Sequence, residues 1–319
     1  MEAPRSPWWK DALIAVGILA LVLGFLFRES FESEKVVFAN DAPLGAIQAH
    51  AQDERTGWSF WQDLNWVGGE YPSAMPNFTK LFFETCLVVG GDNGAILFAK
   101  WYQPMALVLL GLAGWIFFRA LKFPQPICVL GGLALALNGD LFSYTAWGLP
   151  SVVLGAAGAL LAMAAVIHAM RETGWRLVAW GALGGVGLGQ GVMESFDVGG
   201  IFSLYVAAFV MMAAFNRSTV KSQPAQMGLK GAGVLALVVA ASTLMAWHTV
   251  DNLFRTEGKA LKDRSDPSAR IKQVEDQFIA QVAQIQAAQD LPPEQRAGFI
   301  AQITEQKDRI VDLIRRQPY

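Results

Sequence analysis

The chain has 319 residues, of which 53% are hydrophobic and only 16% charged, and its formal net charge is −2. That composition excludes an ordinary soluble globule and points to lipid as the solvent. No Gly-rich phosphate loop follows a strand pattern, and nothing points to nucleic acid as a partner.

A helix that crosses about 30 Å of hydrocarbon needs roughly 20 mostly apolar residues. Segments near 12–27, 99–118, 126–138, 151–169, 177–190, 198–215 and 231–249 approach or meet that length, which predicts an all-α, polytopic bundle of about seven transmembrane helices. Residues 1–27 hold the N-terminus and the first span, read as uncleaved because Phe-Arg-Glu-Ser follows it without a small-x-small site. Residues 28–98 form an outer loop rich in Trp and Gly. Within it FTKLFFETCLVV (78–89) is too apolar for a free loop and too short for a span, so an interfacial helix is expected. Residues 99–250 are the membrane bundle with about six spans, whose tight links at Arg119–Pro124 and Arg171–Arg176 force antiparallel neighbours. Gly181, Gly185 and Gly189 recur every four residues and place a close-packing face on one span. Residues 251–319 turn hydrophilic. Two apolar stripes (Ile271, Val274, Phe278, Val282, Ile285, then Phe299, Ile303, Ile310, Ile314) flank Asp290-Leu-Pro-Pro-Glu, which predicts an extramembrane helical hairpin able to dock a protein partner.

Charge sets the orientation. Arg5 and Lys10, Arg119 and Lys122, Arg171 and Arg176, then Arg217, Lys221 and Lys230 fall in alternate gaps, which should be cytoplasmic together with the N-terminus. The intervening gaps carry Asp41, Asp63, Glu70, Asp92, Asp140, Glu194 and Asp197 and should lie outside, as should the tail after Val250. On this topology Cys86 and Cys128 lie on opposite sides, which excludes a bridge between them. His50, His168 and His248 lack the spacings of a metal site. Trp residues near span ends read as headgroup anchors.

A carboxylate at the bilayer centre costs about 2.5–3.5 kcal/mol. The acids here avoid the centre and gather at the outer ends of spans, beside small residues in Asn138-Gly-Asp140 and Glu194-Ser-Phe-Asp197-Val-Gly-Gly, while Asn40-Asp41 stands just ahead of Pro43-Leu-Gly45. They are either solvated loop residues or the rim of a site. Asn77-Phe-Thr79 fits an N-glycosylation pattern.

Phe38-Ala-Asn-Asp41, Trp61-Gln-Asp-Leu-Asn-Trp-Val-Gly-Gly-Glu70, Leu137-Asn-Gly-Asp140 and Ser195-Phe-Asp-Val-Gly-Gly-Ile-Phe-Ser-Leu-Tyr205 resemble the YfhO family of bacterial membrane proteins, over about residues 12 to 250. That family looks like GT-C-type glycosyltransferases, which take a sugar from a polyprenyl-phosphate carrier at the outer face of the inner membrane. The resemblance implies a bacterial host, so the glycosylation pattern is set aside. It casts Asp41 as the catalytic base, and Asn40, Trp61, Asp63, Trp66, Glu70, Asp140, Glu194 and Asp197 as substrate-binding residues. Asp140, Glu194 and Asp197 could instead hold a divalent cation, Mg²⁺ or Mn²⁺, though no metal site is assigned. The chain departs from the family in turning hydrophilic after Val250 and in offering few outer cations for a donor phosphate. The alternative is a non-catalytic accessory subunit of a larger complex that docks through 251–319. A transporter ranks third, because acids near the span midpoints are almost lacking.

Overall fold

The computed structural model describes residues 7–37, 39, 40, 43–52, 61, 62, 69, 70, 77–216, 224–251, 254, 255, 267–287 and 292–316, with the backbone alone for some of these, among them 61, 62, 69 and 70. The chain divides into two compact units, Met1–Val250 and Asp251–Tyr319.

The first unit is built of helices: α1 (Trp8–Leu26), α2 (Leu44–Gln52), α3 (Phe78–Gly90), α4 (Gly94–Ala120), α5 (Gln125–Ala136), α6 (Gly139–Trp147), α7 (Pro150–Ala169), α8 (Gly174–Glu194), α9 (Phe196–Asn216) and α10 (Pro224–Met245). A two-residue antiparallel pair, Trp61–Gln62 with Gly69–Glu70, is the sole sheet among the described residues. Five helical stretches are long and apolar enough to cross a bilayer: Trp8–Leu26, Phe78–Ala120, Pro150–Ala169, Phe196–Ala214 and Gln226–Met245. The number becomes six if α5 and α6, bent by 44° at their junction, form one broken span. The chain is therefore an all-helical membrane protein. Helix α8 covers the expected span at 177–190 but falls short of that apolar standard, because its glycines and Gln190 dilute the hydrocarbon.

Contacts at both ends fix how α1 lies along α4. At one end Arg119 Nη2 stands 3.0 Å from Asp11 Oδ2, and Gln125 Nε2 donates to the Asp11 carbonyl at 2.7 Å. At the other, the rings of Phe31 and Trp101 are 4.6 Å apart. Residues 101 to 119 rise about 27 Å at 1.5 Å per residue, close to one hydrocarbon thickness. The first turns of α4 therefore project beyond the level where α1 ends.

Helix α3 covers those projecting turns. Asn77 caps it, with Oδ1 accepting from the Lys80 N–H at 2.8 Å. The chain then reverses through Gly91, whose φ of +52° suits glycine, and Gly94, where a Cβ would come within 2.6 Å of Leu87 Cα. Phe83 meets Phe98 edge to face at 5.0 Å, so α3 runs back along α4. The short helix expected at 78–89 is thus present, held by aromatic packing against α4.

Helix α8 is gripped from two sides. Its Gly181, Gly185 and Gly189 face α10, and a Cβ on Gly185 would lie 2.5 Å from Ala241 Cβ. A second small-residue face meets α7: a Cβ on Gly158 would lie 2.5 Å from the Gly187 carbonyl oxygen. Such backbone approach replaces hydrophobic driving force with dispersion inside lipid. Lys230 Nζ donates to the Met170 and Glu172 carbonyls at 3.1 and 2.7 Å, tying α10 to the turn after α7.

Helix directions and these ties collect Arg119, Lys122, Arg171, Arg176 and Lys230 at one end of the bundle. Asn40, Asp140, Glu194 and Asp197 stand at the opposite end. Cys86 and Cys128 are buried free thiols. In the second unit α11 (Pro267–Ala287) and α12 (Pro293–Arg316) pack against each other, each opening on a proline whose missing N–H costs nothing in a first turn.

Candidate functional site

The end of α8 meets the start of α3 across 115 residues of chain. Glu194 accepts from the Thr79 backbone N–H at 2.9 Å and from the Thr79 hydroxyl at 2.5 Å, while Asn77 Nδ2 donates to the Met193 carbonyl at 3.3 Å. The Thr79 hydroxyl has one proton, and Glu194 receives it. Tyr102 Oη, 2.5 Å from Thr79 Oγ1, must therefore be the donor in that contact. The result is a chain of hydrogen bonds from Tyr102 through Thr79 to Glu194. The carboxylate sits where the unpaired N–H groups of α3 point, so it serves as a cap in trans and gains from the helix dipole.

Below this cluster a cleft of about 680 Å³ opens between α4 and α8, with α7 as its floor. It runs from Phe78, Leu81 and Glu194 to His168 and Trp180. From Trp180 to Glu194 the α8 wall rises about 21 Å at 1.5 Å per residue. Glu194, Gln190, His168 and Trp180 supply the only polar groups among its lining side chains; the rest is aliphatic or aromatic. The His168 imidazole stacks on the Trp180 indole at 4.5 Å.

The sequence-derived candidates fare unevenly. Asp41, Asp63 and Trp66 lie outside the described residues, and of Trp61 and Glu70 only the backbone is described, in the paired strands. Asn40 is exposed and follows Ala39, which is buried, on the segment that packs over Phe98, Tyr102 and Gln103. Asp140 is exposed in the first turn of α6, where Asn138 Oδ1 accepts from the Asp140 and Leu141 N–H groups at 3.1 Å. Asp197 is exposed in the first turn of α9, its Oδ1 accepting from Ser195 Oγ at 2.9 Å and the Val198 N–H at 2.8 Å. Asp140, Glu194 and Asp197 thus share one end of the bundle. They do not form a metal-holding group, and none of three or more His, Cys, Asp or Glu residues occurs among the described residues. Glu194 alone is drawn into a network.

Thr79 and Tyr102 are the residues that sequence reasoning missed. The available signal was Asn77 directly ahead of an apolar run, a helix N-cap pattern whose donors require an acceptor nearby. The fold and cleft define a class: a polytopic helical membrane protein with an apolar cleft between α4 and α8 that is bordered at one end by a capping carboxylate. Compared with protein-family models, curated proteins and solved structures, the chain has no match.

Proposed function

We propose that this chain is a GT-C-like membrane glycosyltransferase, or the N-terminal module of one, that takes a sugar from a polyprenyl-phosphate carrier at the outer face of a bacterial inner membrane. The observation that carries the reading is the placement of Asn40, Asp140, Glu194 and Asp197 at one end of a bundle whose other end is basic. That polarity agrees with an N-terminus in the cytoplasm and the first loop outside. The bent α5–α6 pair taken as one span, and α8 taken as embedded because spans enclose it on two sides, bring the spans to seven. The tail 251–319 then lies in the periplasm as a soluble helical hairpin.

In this reading Asp41, next to Asn40, is the general base. It takes the proton of the acceptor hydroxyl as that oxygen attacks the anomeric carbon. The glycosidic C–O bond forms, the bond from the anomeric carbon to the carrier phosphate oxygen breaks, and the lipid phosphate leaves. A base must stand within about 2.6–3.2 Å of the proton it removes, which favours a short tether to a seated segment such as Ala39. Trp61, Asp63, Trp66 and Glu70 would meet the sugar from the same loop. Transfer of labelled sugar from a polyprenyl-phosphate donor in membrane vesicles should fall at least about 100-fold in Asp41→Asn with the protein still folded. Undiminished transfer in that variant removes the assignment.

A second reading is favoured by the separate C-terminal unit, where Ile279 and Phe299 leave large apolar side chains exposed on otherwise polar helices. In it the chain is an accessory subunit that docks a protein through 251–319. Co-purification with a larger complex that is lost on deleting 260–319 would favour it, and recovery of an unpartnered chain from native membranes would count against it.

A further inference from the structure

The lateral cleft has two unlike mouths. At the Glu194 mouth the one charged lining group is a carboxylate, already engaged by both donors of Thr79, and a phosphate placed there would meet a like charge. At the His168 mouth the chain turns through Arg171 and Glu172, and Arg176 follows one helical turn before Trp180. Both arginines are exposed. Arg176 Nη1 reaches Glu172 Oε2 only loosely, at 3.9 Å. The carbonyls of Met170 and Glu172, which would repel an anion, are covered by Lys230. Trp175, 75% exposed beside Arg176, offers an indole at headgroup depth.

We propose that the cleft holds one acyl chain of an anionic phospholipid from the leaflet on the basic side, with its phosphate beside Arg171 and Arg176 and its chain lying along α8 toward Glu194. Charge complementarity chooses the mouth, and the aliphatic lining chooses hydrocarbon over a polar solute. The wall of about 21 Å exceeds one leaflet of a core about 30 Å thick, so a single chain entering from the basic side is received along its length. This inference does not rest on the transferase reading, since it is argued from the cleft's aliphatic lining and the charge at its basic mouth alone.

The test is lipid retention. The full chain is reconstituted in vesicles of equal phosphatidylglycerol and phosphatidylethanolamine, re-extracted in mild detergent, and its retained lipid weighed by mass spectrometry. Each basic residue near an anionic headgroup contributes about 1 kcal/mol, so two should favour phosphatidylglycerol by roughly 30-fold. Replacing both, Arg171→Gln with Arg176→Gln, should bring the two lipids to near parity. Leu183→Trp, on the cleft wall, should remove retained lipid of either kind. Because the arginines are exposed, their replacement keeps the assay readable even if the Trp variant does not assemble. The proposal is overturned if the native chain retains neither lipid, if it retains both equally, or if its preference survives loss of both arginines.

Discussion

The two ends of the bundle each sink an acid, and they neutralise it by different means. At the basic end Asp11, 7% exposed, pairs with the Arg119 guanidinium, and its backbone carbonyl takes the Gln125 amide. At the opposite end Glu194 meets no cation in its hydrogen bonds and is held by an N–H, a hydroxyl and the start of a helix. The first clamps the start of α1 to the end of α4 and the start of α5. The second joins α8 to the α3–α4 hairpin, 115 residues away in sequence, through Thr79 and, by way of Thr79, Tyr102. An ion pair can be released to water when it breaks, whereas dipoles fixed by a helix have nowhere else to go. The dipolar end should therefore be the more sensitive to deletion and the less sensitive to salt.

The largest effect is expected at the dipolar end. Glu194→Ala strips the acceptor from two Thr79 donors and leaves the α3 N-terminus with Asn77 as its cap, at a cost of about 2–3 kcal/mol. Glu194→Gln keeps one acceptor oxygen and should lose roughly 1 kcal/mol. Thermal unfolding in a fixed detergent should rank the variants in that order below the native chain. Equal melting of Glu194→Ala and the native chain would mean the cap carries no weight. Next comes Asp11→Asn, which leaves Arg119 without its anion. The Arg119 side chain is 36% exposed, so water compensates in part and the loss should be about 1–2 kcal/mol, short of that for a fully buried pair. A loss larger than that of Glu194→Ala would reverse the comparison.

The same contrast explains what could be read from the chain alone. Apolar run lengths and the alternation of basic gaps depend on local composition, so the all-helical membrane character, most of the long apolar helices and the basic end were legible. The four-residue spacing of Gly181, Gly185 and Gly189 foretold a close neighbour, because spacing alone defines a helix face. It could not tell that the adjoining face at Gly187 and Gly191 would take α7, since which faces meet is decided by tertiary packing. Glu194 was legible as an unusual acid and read as a ligand group. The structure shows it engaged by Thr79, a partner whose relation to it has no local signature. Asn77 invited a modification reading from its Asn-Phe-Thr pattern, and its position ahead of an apolar run makes it an N-cap instead. Asp11 was passed over because it lies amid the basic residues of the first gap. An acid there, at the mouth of an apolar helix, needs a cation, and Arg119 supplies it.

Salt should separate the two ends most finely. Raising ionic strength from about 0.1 M to about 1 M shortens the screening length from about 10 Å to about 3 Å. Arg119 is open enough to solvent for its attraction to Asp11 to be screened, so the penalty of Asp11→Asn should shrink by a few tenths of a kcal/mol. The bonds from Thr79 to Glu194 involve one charge and neutral donors at contact distance, leaving no pair of mobile charges for ions to come between. The penalty of Glu194→Ala should hold constant over the same range. Comparing each variant with the native chain at both salt levels cancels the effect of salt on the detergent micelle. A Glu194→Ala penalty that fell with salt as steeply as that of Asp11→Asn would mean that a cation, and not the α3 terminus, neutralises Glu194.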